Sequence, residues 1–287
     1  MIQDIFPYKY NVEYKSCLPE DSDRIILISD TSVLVRITGE IIEYPKWEQI
    51  RDYDGIVTKY LFSLADPETE SGQSVSGKCE KFFFAWKGGS EAAKEVLQNR
   101  GYEFVTQRNI QYYKPQRFAF AGTTAFQLAY WYVQNQFCGK CGRPMMESDN
   151  ERMVYCDKCK IPVYPRINPV VIVGVINGDR ILLTKYARGQ YRKYALVAGF
   201  VEAGETLEEA VSREVHEETG LRVRNIRYYK SQPWSLSSSL IAGMFCDLDG
   251  PEETTLADGE LSVAEWVHRD DVPVYEDSVS ITTEMIW

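Results

Sequence analysis

The chain of 287 residues has only two histidines and no excess of positive charge. With histidine so scarce, any catalytic metal has to rest mostly on carboxylates. Lys and Arg total 32 against 42 Asp and Glu, a formal net charge of -10. A chain of that sign repels polyanions at long range, which excludes nucleic-acid binding through bulk charge and leaves only a local basic patch. No apolar run approaches the roughly 18–20 residues that span a bilayer, so no membrane segment is expected. The start, Met1-Ile2-Gln3-Asp4-Ile5-Phe6-Pro7, has no basic stretch followed by a long apolar one. No secretory signal is therefore expected, and a cytoplasmic, reducing setting is. A disulfide framework is disfavoured as well. The seven cysteines are an odd number, and Cys17, Cys79 and Cys246 stand alone. No internal repeat is visible.

What is present reads as globular and α+β. The composition is 44% hydrophobic and 26% charged, and the length allows more than one domain at roughly 100–200 residues each. Residues 24–37 read as two short strands around Ser29-Asp30-Thr31-Ser32, and 56–64 and 81–86 as further strands rich in aromatic and β-branched residues. The polar stretch 66–77 reads as a mobile loop. Residues 90–100 carry a helical pattern with Ser90 as a candidate N-cap and Gly101 as a stop. In 121–136, Ala125, Leu128, Ala129, Tyr132 and Val133 recur at helical spacing. From Asn168 strands and helices alternate: strands at 169–176, 180–184 and 241–248, and a helix near 206–220. The expected division is an N-terminal α+β domain (1–120), a connecting helix with a cysteine segment (121–166), and a C-terminal mixed sheet with packed helices (167–287).

Cys138 and Cys141 are followed after fourteen residues by Cys156 and Cys159. Each C-x-x-C forms a tight turn that aims two thiolates at one point, and the stretch between is long enough for a hairpin that joins the turns. Four thiolates suit tetrahedral zinc with no open position, hence a structural site. The alternatives are two exposed redox pairs or disulfides. A zinc ribbon serves either as a nucleic-acid binder or as a scaffold or dimer element, and the acidic chain favours the latter.

The most informative segment runs from Gly199 to Leu221. It holds seven Glu and one Arg, a net of -6, more than half of the chain's net charge of -10. Thr206 and Glu209 form a possible capping box, and Gly220 a C-terminal stop. At about 100° per residue from Leu207, Val211 falls at about 40° and Val215 at about 80°, which sets the core face. Glu214 at about −20° and Glu218 at about +20° overlap that face, and Glu217 lies at about −80°. An ordinary amphipathic helix puts its carboxylates opposite the apolar stripe. Like charges aimed at a sheet need a cation or raised pKa values. Arg213 can pair with Glu209 or Glu217 but cannot neutralise the set. Hard oxygens without histidine suit Mg²⁺ or Mn²⁺.

The same segment resembles the Nudix box, G-x5-E-x7-R-E-U-x-E-E-x-G-U with U apolar. It matches at Gly199, Glu205, Arg213, Glu214, Val215, Glu217, Glu218, Gly220 and Leu221, all nine defined positions. Downstream, Ser231-Gln232-Pro233-Trp234-Ser235-Leu236-Ser237-Ser238-Ser239 resembles the S-Q-P-W-P-F-P-x-S array of the NADH pyrophosphatase subfamily, with Ser235, Leu236 and Ser237 where Pro, Phe and Pro are usual. The cysteine segment before the box, Tyr164-Pro165-Arg166 after it, and the N-terminal domain also look like this subfamily.

The resemblance implies a Nudix fold, a mixed sheet between helices, and metal-dependent hydrolysis of NADH or NAD⁺ to AMP and nicotinamide mononucleotide. It implies that Glu214, Glu217 and Glu218 hold Mg²⁺ or Mn²⁺ with the Ala198 carbonyl and Glu260, and that Glu217 or Glu218 takes a proton from water. It implies substrate contacts from Glu151, Tyr164, Phe200, Gln232, Pro233, Trp234, Ser235, Leu236, Ser237, Ser238, Ser239 and Thr282, and a homodimer. Loss of two prolines should loosen the array, since proline limits backbone freedom. The alternatives are a Nudix hydrolase for ADP-ribose, dinucleoside polyphosphates or NAD-capped RNA, and a silent zinc-ribbon nucleotide sensor. The stretch 185–194, four basic residues among three tyrosines, is either a solvated loop or a phosphate or RNA contact.

Overall fold

The computed structural model describes residues 1–66, 79–188, 193–256, 259–274 and 279–287. The expected loop lies outside the described residues from 67 onward, as do Gly189, Gln190, Tyr191 and Arg192 of the basic-aromatic stretch. Two compact units emerge: Ile2–Arg166, and Ile167–Trp287 with Met1. Among the described residues, no helix is long and apolar enough to cross a membrane.

In the first unit one sheet runs in the order Lys9–Asn11, Val57–Ala65, Cys79–Trp86, Arg24–Ile26. A second is built on Ser32–Thr38, which pairs with Ile28–Ser29, Ile41–Glu43 and Tyr102–Thr106. Phe62, Phe82 and Phe83 are fully buried, so the aromatic richness of these strands is core. Ser90 opens the helix Ser90–Gln98 but does not cap it; Gly89 takes that position. The next long helix, Gln116–Gln134, starts earlier than periodicity indicates. Its first turns bury Phe118, Ala119, Phe120 and Ala121 in succession, and a segment buried all round carries no amphipathic stripe to read.

The second unit is a six-stranded mixed sheet between two helices. Its central strand, Asn168–Asn177, pairs in parallel with Ser239–Leu248. On its other side it pairs antiparallel with Val197–Phe200 and, at its far end, with Arg180–Tyr186. Leu261–His268 extends the sheet beyond Arg180–Tyr186, and Val223–Trp234 beyond Ser239–Leu248. Alternation along the central strand sends Val171, Val173 and Val175 to one face, against Val211 and Val215 of the helix Leu207–Thr219. Ile172 goes to the other face, against Ile281, Met285 and Ile286 of the short helix Ile281–Ile286.

The helix Leu207–Thr219 has the ends its sequence indicates. Thr206 Oγ1 accepts from the Glu209 N–H, and the Glu209 carboxylate accepts from the Thr206 N–H at 2.8 Å. Gly220 ends the helix at φ 73°, a left-handed conformation that glycine adopts without steric cost. Because Glu209 is committed to the cap, it does not pair with Arg213.

The array 231–239 is not one loop. Its first four residues complete the strand Val223–Trp234, which periodicity did not reveal. That strand is the sheet's edge, and Arg224, Asn225, Arg227 and Tyr228 are exposed, so the usual alternation is erased. Gln232 is fully buried and does not face solvent or a cavity. Its amide donates to Val279 O at 2.8 Å and accepts from the Ile281 N–H at 2.7 Å. It ties the edge strand to the last helix, and both ends of its amide are engaged in that tie. Gln232→Ala strands one buried and one part-buried backbone group and should cost about 2 kcal/mol. Chemical denaturation measures this; a loss under about 0.5 kcal/mol would show that the tie carries no stability.

Candidate active site

Gly199, at the inner end of Val197–Phe200, decides where the carboxylates stand. A Cβ there would lie 1.9 Å from Glu214 Cδ and 2.0 Å from Glu214 Oε1. Only glycine lets the Glu214 side chain pass under this strand. Glu214 is consequently 14% exposed, whereas Glu217 on the outer side is 58% exposed. Glu218, at 7%, is buried.

Arg213 binds the set together. Its Nε and one terminal nitrogen donate to the two oxygens of Glu205 at 2.7 and 2.8 Å. The other terminal nitrogen donates to Glu214 at 2.7 Å and Glu217 at 3.1 Å, and a further bond at 3.0 Å reaches Phe200 O. Bidentate charged bonds of this kind fix orientation as well as energy. The guanidinium pulls the Glu205 carboxyl down to about 2. Arg213 therefore serves Glu205, Glu214 and Glu217 and makes no bond to Glu218.

Glu218 is the unresolved charge. Its Oε2 is buried with no hydrogen-bond partner. Burial first, then the charges of Glu260, Glu214 and Glu217, push its carboxyl from 4.5 up to about 8. A buried carboxylate among three others costs free energy that a divalent cation removes, and an orphaned hard oxygen is what such an ion binds. The donor set fits a divalent metal.

Beside these carboxylates lies a cavity of about 600 Å³, within the range of small-molecule sites. Ala198, Phe200, Glu214, Trp234, Ser237, Ser239, Glu260 and Thr282 line it. Gly199 of the Nudix box and Tyr186 of the basic-aromatic stretch also line it, and Val170, Glu202, Ile241 and Ser280, which sequence reasoning did not single out, complete the wall with Ile172. Glu202 sits in the undefined five residues after Gly199, and the others are ordinary strand or cap residues, so no spacing marked them. Pro233, Ser235, Leu236 and Ser238 belong to the same edge and turn but do not line the cavity. Glu151 and Tyr164 belong to the first unit, where the Tyr164 hydroxyl donates to Glu151 Oε1 at 3.3 Å.

The NUDIX domain matches residues 165–285. A protein of Klebsiella pneumoniae subsp. pneumoniae described as "NAD-capped RNA hydrolase NudC" is 39% identical over 202 residues, 70% of this chain and 77% of that protein. The chain belongs to the Nudix hydrolase family. A Salmonella paratyphi C protein of the same description is 38% identical, over 70% of this chain and 77% of its own. Among solved structures, a NUDIX hydrolase from Nitrosomonas europaea is 25% identical with a TM-score of 0.42, covering 48% of this chain and 80% of that one. Three defined positions of the Nudix box have a clear physical task here: Gly199 makes room for Glu214, Arg213 locks Glu205, Glu214 and Glu217, and Gly220 ends the helix.

The four cysteines of the first unit form a separate centre. The Sγ atoms of Cys138, Cys141, Cys156 and Cys159 all lie within 4.8 Å of one another. No disulfide joins any two of them, and all four sulfurs converge on one point rather than forming two separate pairs. Short strands Met146–Glu147, Val154–Cys156 and Ile161–Val163 bring the two turns together. Backbone N–H groups of Lys140 and Cys141 aimed at Cys138 Sγ lower its pKa, and the donor set fits a tetrahedral soft-ligand ion.

The Glu218 shift has a testable sign. Because the folded-state carboxyl lies at about 8 and the ordinary value is 4.5, the folded protein holds a proton that the unfolded chain has released. Stability should fall as pH rises through that window and level off above it. In metal-free protein, Tm should decline from pH 5 to 9, a divalent cation should restore it most at the alkaline end, and Glu218→Gln should flatten the slope. A slope unchanged in Glu218→Gln would sink this assignment.

Proposed function

We propose that this protein hydrolyses the pyrophosphate bond of NADH and NAD⁺, releasing AMP and reduced or oxidised nicotinamide mononucleotide. The observation that carries this reading is the unpartnered buried oxygen of Glu218, coupled to Glu214 and Glu260 on the wall of the cavity. A dinucleotide's phosphates are repelled by these carboxylates unless a cation lies between them. Glu214, Glu217, Glu218, Glu260 and the Ala198 carbonyl would hold Mg²⁺ or Mn²⁺, ions that prefer hard oxygen. When bound, the metal neutralises phosphate charge and lowers the pKa of water.

The chain's own residues do the rest. Arg213 keeps Glu205, Glu214 and Glu217 in one arrangement. Glu218, shielded from solvent, or Glu217, bonded to Arg213, accepts the proton of the attacking water. Phe200, 52% exposed on the cavity wall, offers a face for stacking on nicotinamide, and Trp234 a second aromatic edge. Ser237, Ser239 and Thr282 supply polar contacts. Glu151 and Tyr164 remain substrate contacts in this reading, supported by the subfamily resemblance.

A second reading, hydrolysis of NAD-capped RNA, is favoured by the printed description of the relatives. The same bond is cut in both. Product analysis with NADH and with an NAD-capped RNA in separate reactions compares them, and faster release from one assigns the preferred substrate. Purified protein with Mg²⁺ or Mn²⁺ should release AMP and the mononucleotide faster from NADH than products from ADP-ribose or a diadenosine polyphosphate. Glu218→Gln should lower turnover by at least about a hundredfold while the fold survives. Faster cleavage of ADP-ribose, with NADH nearly inert, overturns the substrate; no metal-dependent turnover at all leaves a nucleotide sensor.

The four-thiol centre completes the proposal as a structural zinc site in a homodimer. Apolar Met146 and Ile161 and the Tyr164 ring stay exposed around it, which supports a partner surface. One zinc per chain by metal analysis, lost in Cys156→Ser, and a dimer mass in sedimentation are the expected results. A monomer or a metal-free thiol cluster would contradict them.

A further inference from the structure

The turn Ser235–Ser237 lacks the prolines that would stiffen it, yet it is held from outside. Asn168, the first residue of the central strand, grips two consecutive carbonyls. Its backbone N–H donates to Ser238 O at 2.7 Å, and its side-chain Nδ2 donates to Ser237 O at 3.1 Å. The Ser238 N–H closes the turn on Ser235 O at 3.3 Å. Ser238 itself sits at φ 52°, the left-handed region that non-glycine residues resist. Such a conformation persists only where neighbouring bonds impose it, and Asn168 supplies two of them.

The consequence lies on the cavity wall. Ser237 Oγ is 2.9 Å from Ser239 Oγ, and both residues line the cavity. Ser239 is 4% exposed, so it backs Ser237 rather than facing solvent. The Ser239 hydroxyl also donates to Ser237 O at 3.3 Å, so Ser237 Oγ is the donor to Ser239 Oγ and keeps its own lone pairs for a ligand. This wall can therefore accept a hydrogen bond, which a proline ring at position 237 could not do. Its place is informative. Ser239 pairs with Asn168, whereas Gly199, over the Glu214 carboxylate, lies on the strand at the other side of the central one. Gly199 pairs with Val171, three residues along from Asn168, so two strand spacings across and three residues along put the turn roughly 14 Å, backbone to backbone, from the carboxylate end. A neutral acceptor at that remove suits the uncharged part of a dinucleotide, not its phosphates.

We propose that Asn168 is a positioning residue for substrate selection. It holds the turn so that the Ser237 hydroxyl, backed by Ser239, accepts a hydrogen bond from an uncharged N–H or O–H donor on the dinucleotide. That donor is a ribose hydroxyl or a carboxamide. The inference rests on the cavity being a dinucleotide site.

A double-mutant cycle tests it, with NADH and ADP-ribose as probes. Each variant is read by steady-state KM and kcat and by equilibrium titration of NADH fluorescence. Ser237→Ala and Asn168→Ala should each raise KM and Kd for NADH about three- to tenfold, with kcat within about twofold. The double variant should be no worse than Ser237→Ala alone, because Asn168 acts through that hydroxyl. Asn168→Asp keeps the size and the backbone bond but cannot donate to Ser237 O; it should match Asn168→Ala in KM with Tm retained. Equal weakening toward ADP-ribose assigns the donor to the ribose, and weakening confined to NADH assigns it to the carboxamide. Additive effects in the cycle, or a fall in kcat at unchanged KM, overturn the proposal. If the wild type hydrolyses NADH while the cycle is additive, the positioning role fails and the proposed function stands. If it binds NADH without hydrolysis while the cycle is coupled, the reverse holds. A wild type that does not bind NADH overturns both.

Discussion

Glu218 keeps one carboxylate oxygen out of water with no donor to satisfy it, while Glu214, Glu217 and Glu260 add like charge around it. No protein gains stability from such an arrangement alone. The rest of the C-terminal unit is organised to maintain it. The capping box and Gly220 fix the length of the helix that carries it. Val211 and Val215 seat that helix on Val171, Val173 and Val175. Gly199 lets Glu214 pass beneath a strand. Arg213 commits its donors to Glu205, Glu214, Glu217 and the Phe200 carbonyl, and makes no bond to Glu218. A divalent ion on that oxygen would remove the energetic cost of the unpaired carboxylate.

The opposite end of the cavity follows different physics. It is uncharged, and its order comes from backbone carbonyls gripped by amides. Asn168 holds the turn at Ser237 and Ser238, and Gln232 holds the strand before it to the last helix. Proline stiffens a chain by limiting the unfolded ensemble; a side-chain amide does so by adding bonds in the folded one. The substituted array loses the first kind of restraint and has the second. The turn therefore stays ordered, and in place of a proline ring it presents a hydroxyl.

The two centres also differ in the chemistry of their donors. The four thiols of Cys138, Cys141, Cys156 and Cys159 suit a soft or borderline ion in a closed tetrahedron. The carboxylates suit a hard ion with room for a ligand beside it. Scarce histidine makes the separation clean, since imidazole is the donor that both kinds of site commonly share.

The cysteine spacing, the Nudix box and the inward tilt of Glu214 and Glu218 were legible in the sequence because each depends on a short, regular backbone. A tight turn, a helix of 3.6 residues per turn and a cap act within a few positions, so residue order alone fixes their geometry. The edge strand Val223–Trp234, the burial of Gln232 and the grip of Asn168 on a turn about seventy residues away were not legible. They depend on which strands lie side by side, and the side-chain pattern of an exposed edge does not record that. The choice among Arg213's partners was also tertiary: Glu209 was in reach by spacing, but the cap had already claimed it. Sequence determined which donors stand together, through their local spacing. The tertiary structure decided what lies around those donors, because a cavity wall is assembled from strands far apart in the chain.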